Sequence, residues 1–124
     1  VFALLMFGLT RPRQKLYQRI NIRMETMLEQ GFLEEVERVL AMGFSPECRG
    51  LQSLGYRQLV RYLKGLAGWE ETVENIKRDT RRLAKRQLTW FRRDSRIRWL
   101  EYKKEAELDT FAEIIWDAVK GNPL

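Results

Sequence analysis

Trp69–Arg93 reads WEETVENIKRDTRRLAKRQLTWFRR, and its periodicity decides the fold. At about 100° per residue, Val73, Ile76, Thr80, Ala84, Gln87, Leu88 and Phe91 fall on one side of a helix. Arg78, Arg81, Arg82, Lys85, Arg86, Arg92 and Arg93 fill an arc of about 140° on the opposite side, with no acid inside it from Arg78 onward. Arg78 and Arg82, Arg81 and Lys85, and Arg82 and Arg86 are like-charged pairs at i,i+4, and each costs roughly 0.2–0.5 kcal/mol in a bare helix. A face that carries this penalty reads as matched to an anion, and regularly spaced phosphates make a nucleic acid the natural one. Two blander readings compete, a solvated helix face and an anionic membrane surface. The second is weakened by the narrow apolar side, which Thr80 and Gln87 interrupt. Trp90 and Trp99, beside the arginines, suit either base stacking or core packing.

The rest of the composition sharpens this. The chain has 124 residues, enough for one domain with a modest core, and a net charge of +6. Lys77 to Arg98 alone carries +8, so the remainder sums to −2 and the basicity is local. Cys48 is the only cysteine and histidine is absent, which excludes internal disulfides and the familiar zinc patterns. A reducing, cytoplasmic setting is expected. Val1 to Leu9 is too short an apolar run for a membrane span and has no basic leader or cleavage site. The chain opens on Val1 rather than Met, and is expected to begin part-way into a longer protein.

The predicted fold is all-α as given, about five helices with one or two short extended segments. Val1 to Phe7 is a continuous apolar run stopped by Gly8, the pattern of a strand buried on both faces of a parallel sheet. No comparable strand follows, so it looks orphaned, and an exposed strand of this kind is expected to self-associate. Thr10 is the expected cap of a first helix, which has Pro12 in its first turn and stops at Gly31. Further helices are predicted over about Leu33 to Met42 and Gly55 to Lys64, with a loop at Phe44 to Gly50. Ile97 to Glu101 alternates as a short extended piece, and Asp109 caps a last helix to Lys120, closed by Gly121 and Pro123.

In the first helix Leu16, Ile20, Met24 and Met27 make an apolar stripe. Arg23 falls inside it, about 20° from Leu16 and about 40° from Met27, with Arg19 on its edge. A buried guanidinium must be paired or face a cleft, and it suits bidentate contact with phosphate. A structural ion pair is the other reading. Gln52-Ser53-Leu54-Gly55-Tyr56-Arg57 opens the third helix. Its free backbone N–H groups could hold a phosphate, Gly55 would allow close approach, and Tyr56 and Arg57 could stack or bond. The chain contains no phosphate-binding glycine loop, no nucleophile with a histidine base and no convincing metal cluster.

Three stretches occur together in one order. They are Arg-Pro-Arg-x-x-Leu-Tyr-x-Arg-Ile-x-x-Arg at 11 to 23, Leu-Gly-Tyr-Arg-Gln-Leu at 54 to 59, and Ile-Lys-Arg-x-Thr-Arg-x-Leu-Ala-Lys-Arg-Gln-Leu-Thr-Trp-Phe-Arg at 76 to 92. Over about residues 1 to 100 the chain resembles the C-terminal part of the tRNA dimethylallyltransferase family, while 101 to 124 match loosely. The resemblance implies a P-loop α/β fold in the full-length protein. It also implies transfer of a dimethylallyl group from its diphosphate ester to the exocyclic nitrogen of the adenosine 3′ to the anticodon. Residues 1–9 would be the last core strand, 10–95 the tRNA- and diphosphate-facing helices, and 96–124 a C-terminal extended segment and helix.

The resemblance further implies that Arg23 steadies the diphosphate. It implies that Gln52, Ser53, Leu54, Gly55, Tyr56 and Arg57 touch the tRNA anticodon stem-loop, as do Lys85, Arg86, Gln87, Leu88, Thr89, Trp90, Phe91 and Arg92. Arg19, Arg78, Arg81 and Arg82 are additional candidates. Mg2+ is expected with the diphosphate, on ligands upstream of this chain, together with the phosphate loop and the catalytic aspartate. The full-length protein is expected to be a monomer, and this piece alone is expected to be inactive. The alternative is a stand-alone helical RNA-binding module, or a scaffold bundle that binds protein; neither gives Arg23 a task.

Overall fold

The computed structural model describes residues 4–121. The elements run β1 (Met6–Thr10), α1 (Arg13–Glu29), α2 (Phe32–Ala41), a turn of 3-10 helix (Arg49–Gln52), α3 (Tyr56–Leu63), α4 (Trp69–Phe91), β2 (Ile97–Glu101) and α5 (Glu107–Lys120). The chain is therefore mostly helical, with the two short extended pieces as strands. Helix ends follow local chemistry. Gly31 takes a φ of 104° between α1 and α2, a value that only glycine adopts readily.

Three local expectations change. Thr10 does not cap α1, because it is the last residue of β1; the Pro12 carbonyl accepts from the Leu16 N–H instead. Asp109 lies inside the first turn of α5, which starts two residues earlier. Strand β1 also starts later than expected, at Met6, and runs through Gly8 rather than stopping there. The expected strand residues Val1 to Ala3, and Pro123 beyond the last helix, lie outside the described residues.

Nor is β1 orphaned. It pairs in parallel with β2, Met6 opposite Ile97 and Thr10 opposite Glu101. Gly8 faces Trp99, and a Cβ at position 8 would come within 2.6 Å of the indole ring, so the glycine makes room for its cross-strand neighbour. Trp99 is thereby a packing residue, as one of its two sequence readings had it.

The chain forms two compact units. One holds Val1–Tyr17 with Arg86–Leu124, and the other Gln18–Lys85. In the first, Tyr102 continues the strand pairing by donating its N–H to the Thr10 carbonyl, and packs edge-on against Phe111 of α5. Arg11 stacks over the Tyr102 ring, 4.8 Å from its centre, and both Arg11 and Lys15 donate to the Lys103 carbonyl. The second unit carries the core: Met24, Phe32, Val36, Leu51, Leu59, Val60 and Ile76, with Met27, Leu28, Leu33 and Tyr56 packed around it. Among the described residues every buried side chain belongs to this unit.

Candidate nucleic-acid interface

Helix α4 is positioned by the face it buries. Thr72, Ile76 and Lys77 are buried, while Val73, Thr80, Leu83, Ala84 and Leu88 are half-buried. Thr72 and Thr80 satisfy their hydroxyls by donating to the carbonyls four residues back, Gly68 and Ile76. Thr80 is thus a satisfied core polar rather than a cleft contact. Gln87 and Phe91, placed on the apolar side by periodicity, are exposed, because no element of the described chain covers the last turn there. Trp90 is 66% exposed and stands edge-on to the Phe91 ring, their centres 4.9 Å apart. Trp90 is therefore not core packing; an exposed aromatic pair of this kind has a face on which a base could stack.

The basic arc divides into engaged and open groups. Arg81 donates to the Asn21 side-chain oxygen at 2.8 Å. Arg78 donates to Asp79 at 3.2 Å, and Arg82 lies 3.9 Å from the same oxygen. Asp79 therefore reaches the arc from just outside it, so the face is less uniformly positive than its periodicity implied. Lys85, Gln87 and Thr89 are exposed and Leu88 is half-buried. Arg86, Arg92 and Arg93 are exposed, with no ion pair or hydrogen bond from their side chains among the described residues. These three keep their full charge exposed.

Gln52 to Arg57 are differently built. Gln52 donates to the Pro46 carbonyl, and Ser53 to the Gly50 carbonyl, which holds the turn before α3. The backbone N–H of Gly55 is already used, by the Gln58 side-chain oxygen at 2.7 Å, and that of Arg57 by the Ser53 carbonyl. Gly55 is demanded by folding: its φ is 88°, and a Cβ would meet the Phe32 ring at 3.0 Å. The open-amide phosphate cradle is therefore largely closed, and Gly55 is explained by packing rather than by a ligand's approach. Tyr56 packs edge-on against Phe32 and donates to Glu35 at 3.1 Å. Burial, with Glu35 beside it, raises the Tyr56 phenol above its ordinary value, so it remains a donor at neutral pH. Leu54 is half-buried; Arg57 is exposed and available.

Arg23 is exposed, not part of a buried face. The buried stripe of α1 runs through Met24, Met27 and Leu28, and Arg23 lies about 40° outside its edge. It needs no core partner, and none holds it among the described residues. Arg19 is also exposed and is engaged within the chain.

Several positioning groups had not been expected. Buried Lys77 donates to Glu25 of α1 at 2.6 Å. Gln58, 8% exposed, donates to Asp79 at 2.9 Å. The Gly55/Gln58 spacing of three could have found the bond of Gln58 to the Gly55 N–H; the Gln58–Asp79 and Lys77–Glu25 pairs join distant segments and left no local trace. No group of three or more His, Cys, Asp or Glu is placed to hold a metal among the described residues. No helix among them is long and apolar enough to cross a membrane.

Comparison with known proteins gives a consistent answer. A family model described as IPP transferase matches residues 1–94. A tRNA dimethylallyltransferase from Pelotomaculum thermopropionicum is 47% identical over 97% of this chain and 38% of its own length. One from Carboxydothermus hydrogenoformans is 50% identical over 98% of this chain and 39% of its own length. The crystal structure of the tRNA isopentenylpyrophosphate transferase from Bacillus halodurans superposes with a TM-score of 0.84 at 34% identity, covering 95% of this chain and 40% of that one. The corresponding enzyme from Staphylococcus epidermidis gives 0.85 at 34% identity, over 98% of this chain and 39% of that one. This chain thus spans about two fifths of the length of the relatives it matches. With the family match covering most of its length, the chain belongs to the IPP transferase family.

Proposed function

We propose that this chain is the C-terminal part of a tRNA-modifying prenyltransferase. The whole protein would move a dimethylallyl group from dimethylallyl diphosphate to the exocyclic nitrogen of the adenosine 3′ to the anticodon. The observation that carries this is the end of α4 in a member of this family, where exposed Arg86, Arg92 and Arg93 flank an exposed Trp90–Phe91 pair. Arginines neutralise backbone phosphates, and an aromatic face accepts a base. A base inside the anticodon stack must leave it before its exocyclic nitrogen can react, and contacts to the flanking RNA offset that cost. Gln52 to Arg57 and Lys85 to Arg92 are the segments assigned to the anticodon stem-loop. Given the closed amides at the head of α3, side chains rather than backbone make the first contact there, chiefly Arg57.

Arg23 is assigned to the diphosphate. As the carbon–oxygen bond breaks, the leaving group gains negative charge, and a guanidinium held beside it favours that state. The exposure of Arg23 supports this role, since its charge is not consumed inside the fold. A P-loop α/β core, the catalytic aspartate and the Mg2+ ligands would lie in the remainder of the protein, in the cytoplasm, and no step assigned to these residues passes through the metal. Strand β1, paired on one side only among the described residues, supports continuation of the sheet into that remainder. In the complete enzyme Arg23→Ala should lower turnover about 100-fold while tRNA affinity stays within about twofold. Equal losses in both would remove the diphosphate role.

A further inference from the structure

Between the head of α3 and the exposed face of α4 runs an unbroken polar path. It starts at the Gly55 backbone N–H, which donates to the Gln58 Oε1 at 2.7 Å. That bond leaves only the amide nitrogen free to reach elsewhere, and Nε2 donates to the Asp79 Oδ2 at 2.9 Å. One amide orientation alone satisfies both, because the flipped form would set an NH2 against the Gly55 N–H. The other Asp79 oxygen, Oδ1, accepts from the Arg78 Nε at 3.2 Å and lies 3.9 Å from the Arg82 Nη1. All five residues belong to the same compact unit, Gln18–Lys85.

We infer that Gln58 and Asp79 are positioning residues that set Tyr56 and Arg57 in register with Arg78 and Arg82, so that both groups meet the RNA together. This rests on the tRNA reading above. Two features argue for it over a merely structural bond. Gln58 is buried, so an apolar side chain would fill its place without needing partners, yet an amide with both ends used stands there. Asp79 is an acid on a surface read as phosphate-facing. Its charge weakens anion binding unless it contributes in another way. Arginine side chains have much rotamer freedom to lose on binding RNA, and a carboxylate that already holds two of them lowers that loss.

The test uses steady-state kinetics of the complete transferase. Gln58→Leu and Asp79→Ala are made singly and together, alongside Gln58→Glu and Asp79→Asn. Each of the first two should raise the KM for tRNA about tenfold and leave the KM for dimethylallyl diphosphate within about twofold. The double variant should be no worse than about the larger single effect, because both cuts sever one path. Gln58→Glu keeps the acceptor for the Gly55 N–H but sets a carboxylate against Asp79, so it should do at least as much harm as Gln58→Leu. It also stands in if Gln58→Leu does not fold. Asp79→Asn, which can still accept from Gln58, should fall between wild type and Asp79→Ala. The relay is overturned if the single effects multiply in the double variant, if both KM values move together, or if neither single variant shifts the tRNA KM beyond about twofold. A wild-type enzyme that fails to prenylate tRNA would instead remove the functional reading, and the relay with it.

Discussion

Asp94 stands where α4 gives way to β2, and both of its carboxylate oxygens face Arg96. The Arg96 guanidinium and backbone N–H donate to it, and these bonds hold its pKa down to about 2. A carboxyl with a folded value below its unfolded one stabilises the turn above the unfolded value, about 3.9, and loses that stabilisation as pH falls from there through about 2. An NMR titration should find the Asp94 midpoint near 2. Arg96→Gln should move it back toward about 3.9, and a wild-type midpoint already there would refute the pairing. Legibility in sequence is uneven at this scale. The exposed Trp90 beside its arginines could be picked out from composition and helical period. Arg23 was misplaced: at about 100° per residue it lies about 20° beyond Leu16, outside the stripe, and only the end of α1 with Met24, Met27 and Leu28 reaches the core. Gln58 and Asp79 are ordinary polar residues until the fold brings them within 2.9 Å.

Helices α1 and α4 are tied by two polar contacts in the same unit, one turn apart on each helix: Asn21 with Arg81, and Glu25 with Lys77. The second is asymmetric, since the Lys77 side chain is 11% exposed and that of Glu25 55%. A buried charge left alone is costly, whereas an exposed one left alone is hydrated. Glu25→Gln, which leaves Lys77 with only Glu74 at 3.8 Å, should therefore destabilise the chain by about 1–2 kcal/mol. Lys77→Met, which removes the buried charge itself, should change stability by less than about 1 kcal/mol. Urea unfolding of the two variants checks the order, and the reverse order would mean that packing of the lysine stem dominates. The helices themselves were readable in the sequence, because glycines mark most of their ends and apolar residues recur at helical spacing. Strand β1 was readable as a strand, but its end and its partner were not, because Gly8 looks like a stop until its cross-strand partner, Trp99, is known.

Across the molecule, charge separates by function. A net +6 hides a basic segment in an otherwise slightly acidic chain, and within that segment only part of the charge is free to act. Arg86→Gln, Arg92→Gln and Arg93→Gln, each in the complete enzyme, should make the log–log salt dependence of tRNA binding shallower by roughly 0.7–0.9 per lost phosphate contact. Arg81→Gln should change the slope less, since Arg81 is half-buried and turned to Asn21 of α1, unlike Arg78 and Arg82, which Asp79 holds on the exposed face. Equal slopes for all four would mean that the internal bonds do not decide which arginines bind. The parallel pairing of β1 with β2 has a consequence of another kind. Its two strands open and close the element order of this chain, α5 excepted, so the whole second unit is the connection between them. At ordinary synthesis rates, about 5–20 residues per second, β1 leaves the ribosome on the order of 5–20 s before its neighbour exists. During that interval the compact unit Gln18–Lys85, which carries the buried core, can already fold, and strand closure is left as a late event of the nascent chain.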